Sequence, residues 1–137
     1  MVLLIDANVL LDVLMKRQEF VKDSSVIWKL CETRKLDGYI SALSIPNIVY
    51  ILRRELDPEK TLEVINNINL VFKIYDLKSD IIMQAAEKKT KDYEDALQMV
   101  TAQKLKASFI VTRNIKDFAG SKIIAVKPSE LLERLDF

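Results

Sequence analysis

The stretch "MVLLIDANVLLDVLM", residues 1–15, sets a run of apolar residues ahead of Asp6 and another behind Asn8. An apolar run of this length that ends abruptly at a charge reads as a strand buried on both faces. A buried carboxylate costs several kcal/mol unless something pairs with it. Asp6 therefore either caps a helix starting near Asn8 or answers to a cation.

Outward from this strand, Val2–Ile5, four further apolar runs read as strands: Tyr39–Ser41, Leu70–Ile74, Phe109–Val111 and Ile123–Val126. Helical patterns fill the intervals. They cover Asn8–Met15, Ser24–Arg34, Pro46–Leu56, Thr61–Ile68, Ser79–Lys88, Tyr93–Leu105 and Glu130–Leu135. Proline is tolerated in a first helical turn, as at Pro46 and Pro128, and Ser79 or Asp80 is placed to cap the fifth helix. Strands that are nearly all apolar, alternating with amphipathic helices, predict an α/β/α sandwich around a mostly parallel, roughly five-stranded sheet. Only two glycines and three prolines punctuate the chain, so a single domain over residues 1–137 is expected. In such open sheets ligands sit outside the carboxyl ends of the strands. Asp6 is the residue that follows the first one.

Composition narrows the chemistry. The chain has no histidine, which removes the Ser-His and Cys-His pairings of nucleophilic catalysis and the commonest general base. With one cysteine, Cys31, neither an internal disulfide nor a zinc site of the usual nitrogen and sulfur type is expected. Any metal chemistry must use oxygen ligands, hence hard cations such as Mg²⁺ or Mn²⁺. The net charge of +1 argues neither for nor against nucleic acid, and local pairs such as Lys16-Arg17 and Arg53-Arg54 read first as solvated helix faces. No apolar run approaches the length of a membrane span, and no basic lead-in or cleavage site marks a signal peptide, so a cytoplasmic setting without membrane is expected.

Oxygen ligands recur at three other places. "KDYEDALQMVTAQKLKA", residues 91–107, opens a helix on which Asp92 and Asp95 share one side, with Asp95 beside the buried face. "FIVTRNIKDF", residues 109–118, is a strand followed by Thr112, Asn114 and Asp117. "YISALSIPNIVYIL", residues 39–52, follows its strand with Ser41, Ser44 and Asn47. Each has a local explanation: first-turn charges on a helix dipole for Asp92 and Asp95, turn and cap duty for Asn114, Asp117, Ser41 and Ser44. Together, however, Asp6, Asp95 and Asp117 would meet at one sheet edge. Like charges at that spacing repel, and a divalent cation removes the penalty.

These three stretches, in this order and spacing over nearly the whole chain, resemble the PIN-domain family. The acidic helix start with "DAL", followed by a strand ending in "TRN" and "KDF", is the most specific part. The resemblance implies a small α/β/α protein acting as a Mg²⁺- or Mn²⁺-dependent ribonuclease. Many such proteins are toxins of toxin–antitoxin pairs, silenced by a partner that inserts a segment at the site. It makes Asp6, Asp95 and Asp117 metal-binding, catalytic acids. Thr112 and Asn114 would hold the water on that ion or the loop, and Ser41 and Asp92 would support the site. Arg113 and Lys116 are candidates for the RNA backbone. The departure from the family pattern is Asn47, where most members carry a glutamate; Asn114 likewise stands where many toxins carry an aspartate. Two alternatives follow: a catalytically inactive interaction module, to which the missing glutamate points, and aspartyl-phosphate chemistry with Asp6 as nucleophile, as in haloacid dehalogenases. The apolar residues Ile48, Val49, Ile51 and Leu52 are expected in the core, with a homodimer or antitoxin contact as the other way to cover them.

Overall fold

The computed structural model describes residues 1–135. Five strands form one sheet in the order β3-β2-β1-β4-β5, with every neighbouring pair parallel. They are β1 (Val2–Ile5), β2 (Asp37–Ser41), β3 (Lys73–Tyr75), β4 (Phe109–Val111) and β5 (Ala125–Val126). The helices are α1 (Ala7–Leu14), α2 (Val21–Glu32), α3 (Ser44–Leu52), α4 (Pro58–Val71), α5 (Ser79–Glu87), α6 (Tyr93–Leu105) and α7 (Pro128–Arg134), with a 3₁₀ turn at Ile115–Phe118. No helix among the described residues is long and apolar enough to cross a membrane.

Alternation along β1 builds the layers. Leu3 and Ile5 face the larger core with α1, α2, α3, α4 and α7, while Leu4 packs with Ile110, Met99, Ala102 and Phe118 under α6. Because successive side chains of a strand point to opposite faces, an uninterrupted apolar run is what a strand covered on both faces requires. Gly38 in β2 is a point of close approach: a Cβ there would stand 2.6 Å from Cys31 Sγ and 2.8 Å from Phe72 Cδ1. Trp28 meets the same Phe72 edge-on, with ring centroids 5.0 Å apart.

The expected third strand is misplaced by the sequence pattern. Leu70 and Val71 end α4, and the strand starts only at Lys73. Ile68, Val71 and Phe72 are buried while Leu70 is 72% exposed, so the apolar cluster there is a helical face and its cap rather than strand. The fifth strand is also shorter than expected: Ile124 is exposed, although its carbonyl still accepts from Ile110 N–H at 2.9 Å. The third helix begins at Ser44, which puts Pro46 within its first turn, and it ends at Leu52. Ile48 and Leu52 are buried and Ile51 packs against the same core, so most of that apolar surface is absorbed within the chain.

A site where the strand order reverses

The chain lays down β1, β2 and β3 outward in one direction, then returns to place β4 and β5 on the other side of β1. The reversal point lies between β1 and β4, and the crevice outside the carboxyl ends of such a pair is where α/β sheets bind ligands. Asp6 follows β1 and Thr112 follows β4. The Asp6 N–H donates to Val111 O at 2.9 Å, carrying the ladder one step past the strand.

Asp6 occupies the N-cap position of α1, yet its side chain makes no capping hydrogen bond. It turns instead to the neighbouring strand. The Thr112 hydroxyl donates to Asp6 Oδ2 at 2.8 Å, and the Asn8 amide donates to the same oxygen at 3.3 Å. Thr112 is fully buried and also accepts from the Asn114 N–H at 3.1 Å. Asn8 Oδ1 in turn accepts from the Arg113 N–H at 3.4 Å. Nothing in the sequence alone marks Asn8 as part of the site; its spacing of two from Asp6 places both at the strand-to-helix junction. Burial is the largest influence on the Asp6 carboxyl and raises its pKa; the Thr112 bond opposes it, and the charge of Asp117 adds to it.

Asp95 is held differently. It is half-buried in the first turn of α6, where the Asp92 carboxylate caps the helix by accepting from the Asp95 N–H at 3.2 Å. The capping explanation thus accounts for Asp92, but not for the Asp95 side chain. Burial first, then the charges of Asp92, Asp117, Asp6 and Glu94, push the Asp95 carboxyl up to about 6. Asp117, exposed on the 3₁₀ turn, lines with Asp92 and Asp95 a cleft of about 490 Å³ bordered by Lys91 and Lys116. Asp6, Asp95 and Asp117, from three distant segments, therefore feel one another's charge.

Among the described residues, no three acidic side chains stand as close as the ligands of a bound ion. The donor set nevertheless fits a hard divalent cation. It consists of carboxylate oxygens, and the mutual repulsion that raises Asp95 is what a cation would remove. Asn47 is exposed in the first turn of α3, and the start of that helix is linked to α6 by Gln98 Nε2 donating to Ser44 Oγ at 3.4 Å. Ser41 is buried, and its hydroxyl accepts from the Leu43 N–H at 3.2 Å, so it shapes the turn between β2 and α3.

Arg113 is anchored rather than free. Its Nε lies 2.8 Å from Oδ2 of Asp12 but is not aimed along a hydrogen bond, and its guanidinium sits 4.2 Å above the Phe20 ring. Asp12 is fully buried and also meets Arg17 at 3.3 Å. A lone acid within the apolar run "NVLLDVL" was the available signal for this pair, because a fully buried carboxylate needs a cation. Lys116 is exposed beside the acids.

Comparison with known proteins agrees with this fold. The family model of the PIN domain matches residues 2–116. Ribonuclease VapC1 of Aquifex aeolicus is 29% identical over 135 residues, covering 95% of this chain and 92% of that protein. Among solved structures, VapBC2 of Rickettsia felis bound to a DNA fragment of its promoter superposes with a TM-score of 0.72 at 16% identity, covering 93% of this chain and 98% of the other. A toxin–antitoxin complex from Klebsiella pneumoniae gives a TM-score of 0.67 at 22% identity, covering 91% and 96%.

Proposed function

Because the chain belongs to the PIN-domain family, we propose that it is a Mg²⁺- or Mn²⁺-dependent endoribonuclease, the toxin of a toxin–antitoxin pair. The observation that supports this reading is the mutual influence of the like charges of Asp6, Asp95 and Asp117 near the reversal point of the sheet. These three side chains would hold the ion. When bound, it supplies an acidified water and neutralises charge on the scissile phosphate. Thr112 and Asn8 fix the Asp6 carboxylate so that it does not have to reorganise during the reaction. Asp92 keeps α6 starting where Asp95 faces the cleft. Lys116 binds the RNA backbone from the rim, whereas Arg113 holds the loop through Asp12 and contributes field more than a free contact. With no histidine in the chain, a carboxylate or a second water accepts the proton. The antitoxin partner rests on the similarly folded chain solved as a toxin–antitoxin complex from Klebsiella pneumoniae.

Asn47 supports the second reading, a catalytically inactive interaction module, because an amide brings no charge to the ion. Calorimetry with Mn²⁺ on wild type and Asp6→Asn, beside cleavage of a generic single-stranded RNA, separates the two. Binding and cleavage by wild type alone support the nuclease. Failure of wild type to bind Mn²⁺ supports the inactive module, and equal cleavage by both proteins removes the assigned site.

A further inference from the structure

A path leads away from the acids. Their cleft shares Lys116 and Asp117 with a hollow of about 360 Å³. That hollow shares Arg113, Asn114 and Lys127 with a third cavity of about 300 Å³ between the starts of α2 and α7. Cations predominate along the middle stretch. Arg113 retains influence there because its partner Asp12 also answers to Arg17. A basic groove of this kind tracks a phosphate backbone.

The third cavity has a different character. The guanidinium of Arg113, stacked on Phe20, makes a flat platform of the kind on which unstacked bases rest. On the α2 wall, Ser24 is 1% exposed, and its hydroxyl has no hydrogen-bond partner. A buried hydroxyl is normally satisfied, so this one, in a residue that lines the cavity, is a spare polar group at its wall. Glu19 and Asp23, on the same wall, are acceptors. The volume suits a small ligand.

The geometry points to a nucleobase subsite of single-stranded RNA in this cavity, selective for bases with an exocyclic amine over uracil. This rests on the nuclease reading. The phosphates follow Lys116 and Lys127 from the acid cleft, the base stacks on Arg113, and its amino edge donates to the α2 wall. Adenine, cytosine and guanine each present an amine to those carboxylates, whereas uracil presents only carbonyls and one imide N–H.

The test uses the full chain and fluorescently labelled homopentamers of A, C, G and U. Binding is followed by anisotropy in EDTA and, before cleavage sets in, in Mn²⁺; cleavage of a mixed-sequence RNA is mapped in parallel. Wild type should bind the U pentamer about tenfold more weakly than the tightest of the others. Ser129→Trp fills the cavity from an exposed rim position and should level the four affinities. Ser24→Ala, which removes an unpartnered hydroxyl without orphaning a neighbour, should narrow the gap; thermal melts verify that both variants fold. Equal binding of all four pentamers by wild type, or an unchanged preference in Ser129→Trp, overturns the subsite even if RNA is cleaved. A cavity-dependent preference without cleavage leaves the subsite standing and defeats the nuclease reading alone. Absence of RNA binding overturns both.

Discussion

Asp6 and Asp95 belong to one acidic cluster and are held in opposite ways. Asp6 stands on the sheet, at the junction of two hydrogen-bonded parallel strands, with a buried threonine and an asparagine donating to one of its oxygens. Asp95 stands on a helix start with carboxylates around it, and burial first, then the charges of those carboxylates, raise its pKa. The sheet side is organised before any ligand arrives. The helix side carries a repulsion that a cation relieves. On the nuclease reading, a metal site built this way would combine a fixed ligand with one whose cost is recovered on binding, and that reading predicts how each half responds when disturbed.

The largest expected effect comes from removing either acid. Asp6→Asn and Asp95→Asn should each lower RNA cleavage by more than about a hundredfold, measured at saturating Mn²⁺. Cleavage that survives either change would dissolve the contrast altogether.

Next comes the sheet side alone. Thr112→Val keeps the shape but leaves Asp6 Oδ2 and the Asn114 N–H short of a partner. It should cost about 1–3 kcal/mol in denaturant unfolding and about ten- to a hundredfold in cleavage. Asp12→Asn, which removes the charge facing two arginines, should likewise destabilise the β4 loop, visible as faster amide exchange around Arg113.

The helix side should show the reverse sign in stability. Asp95 holds its proton more tightly folded, near 6, than unfolded, near its ordinary 3.8. The ion-free protein therefore loses stability from this group as pH rises from about 4 through about 6, and the loss is complete above that window. Asp95→Asn should raise the melting temperature of the ion-free protein by a few degrees at about pH 7.5 and leave it unchanged near pH 4. Excess Mg²⁺ should erase the gain by stabilising wild type. A melting temperature that falls at neutral pH would show that neither burial nor repulsion penalises the Asp95 charge.

The smallest effect sharpens the distinction between cap and ligand. Asp92→Asn preserves a good N-cap, so stability should change by only a few tenths of a kcal/mol. Removing its charge should lower the Asp95 pKa, readable by carboxyl NMR titration. Asp92→Ala should in addition lose about 1 kcal/mol of helix stability.

Much of this site was legible in the chain. Apolar runs that stop at Asp6 and at Thr112 mark strand ends, and ligands of parallel sheets gather at such ends. Leu70 and Val71 fit a strand pattern yet end a helix, because a short apolar cluster looks alike at the end of a helix and in a buried strand; the exposure of Leu70 separates the two. The roles of Asn8 and Asp12 were not legible because their partners are tertiary. Arg113 lies a hundred residues downstream of Asp12 and reaches it only because β4 pairs with β1.

The sequence by itself determined the alternation of strands and helices, the supply of oxygen rather than imidazole donors, and the family, since these follow from local periodicity, composition and ordered motifs. The tertiary structure decided which strands became neighbours. Residues 106 apart in sequence, Asp6 and Thr112, share a hydrogen bond because β4 inserts beside β1 rather than continuing outward from β3. Strand order is set by how helices cover both faces of the sheet, a property of the whole chain that no local stretch encodes.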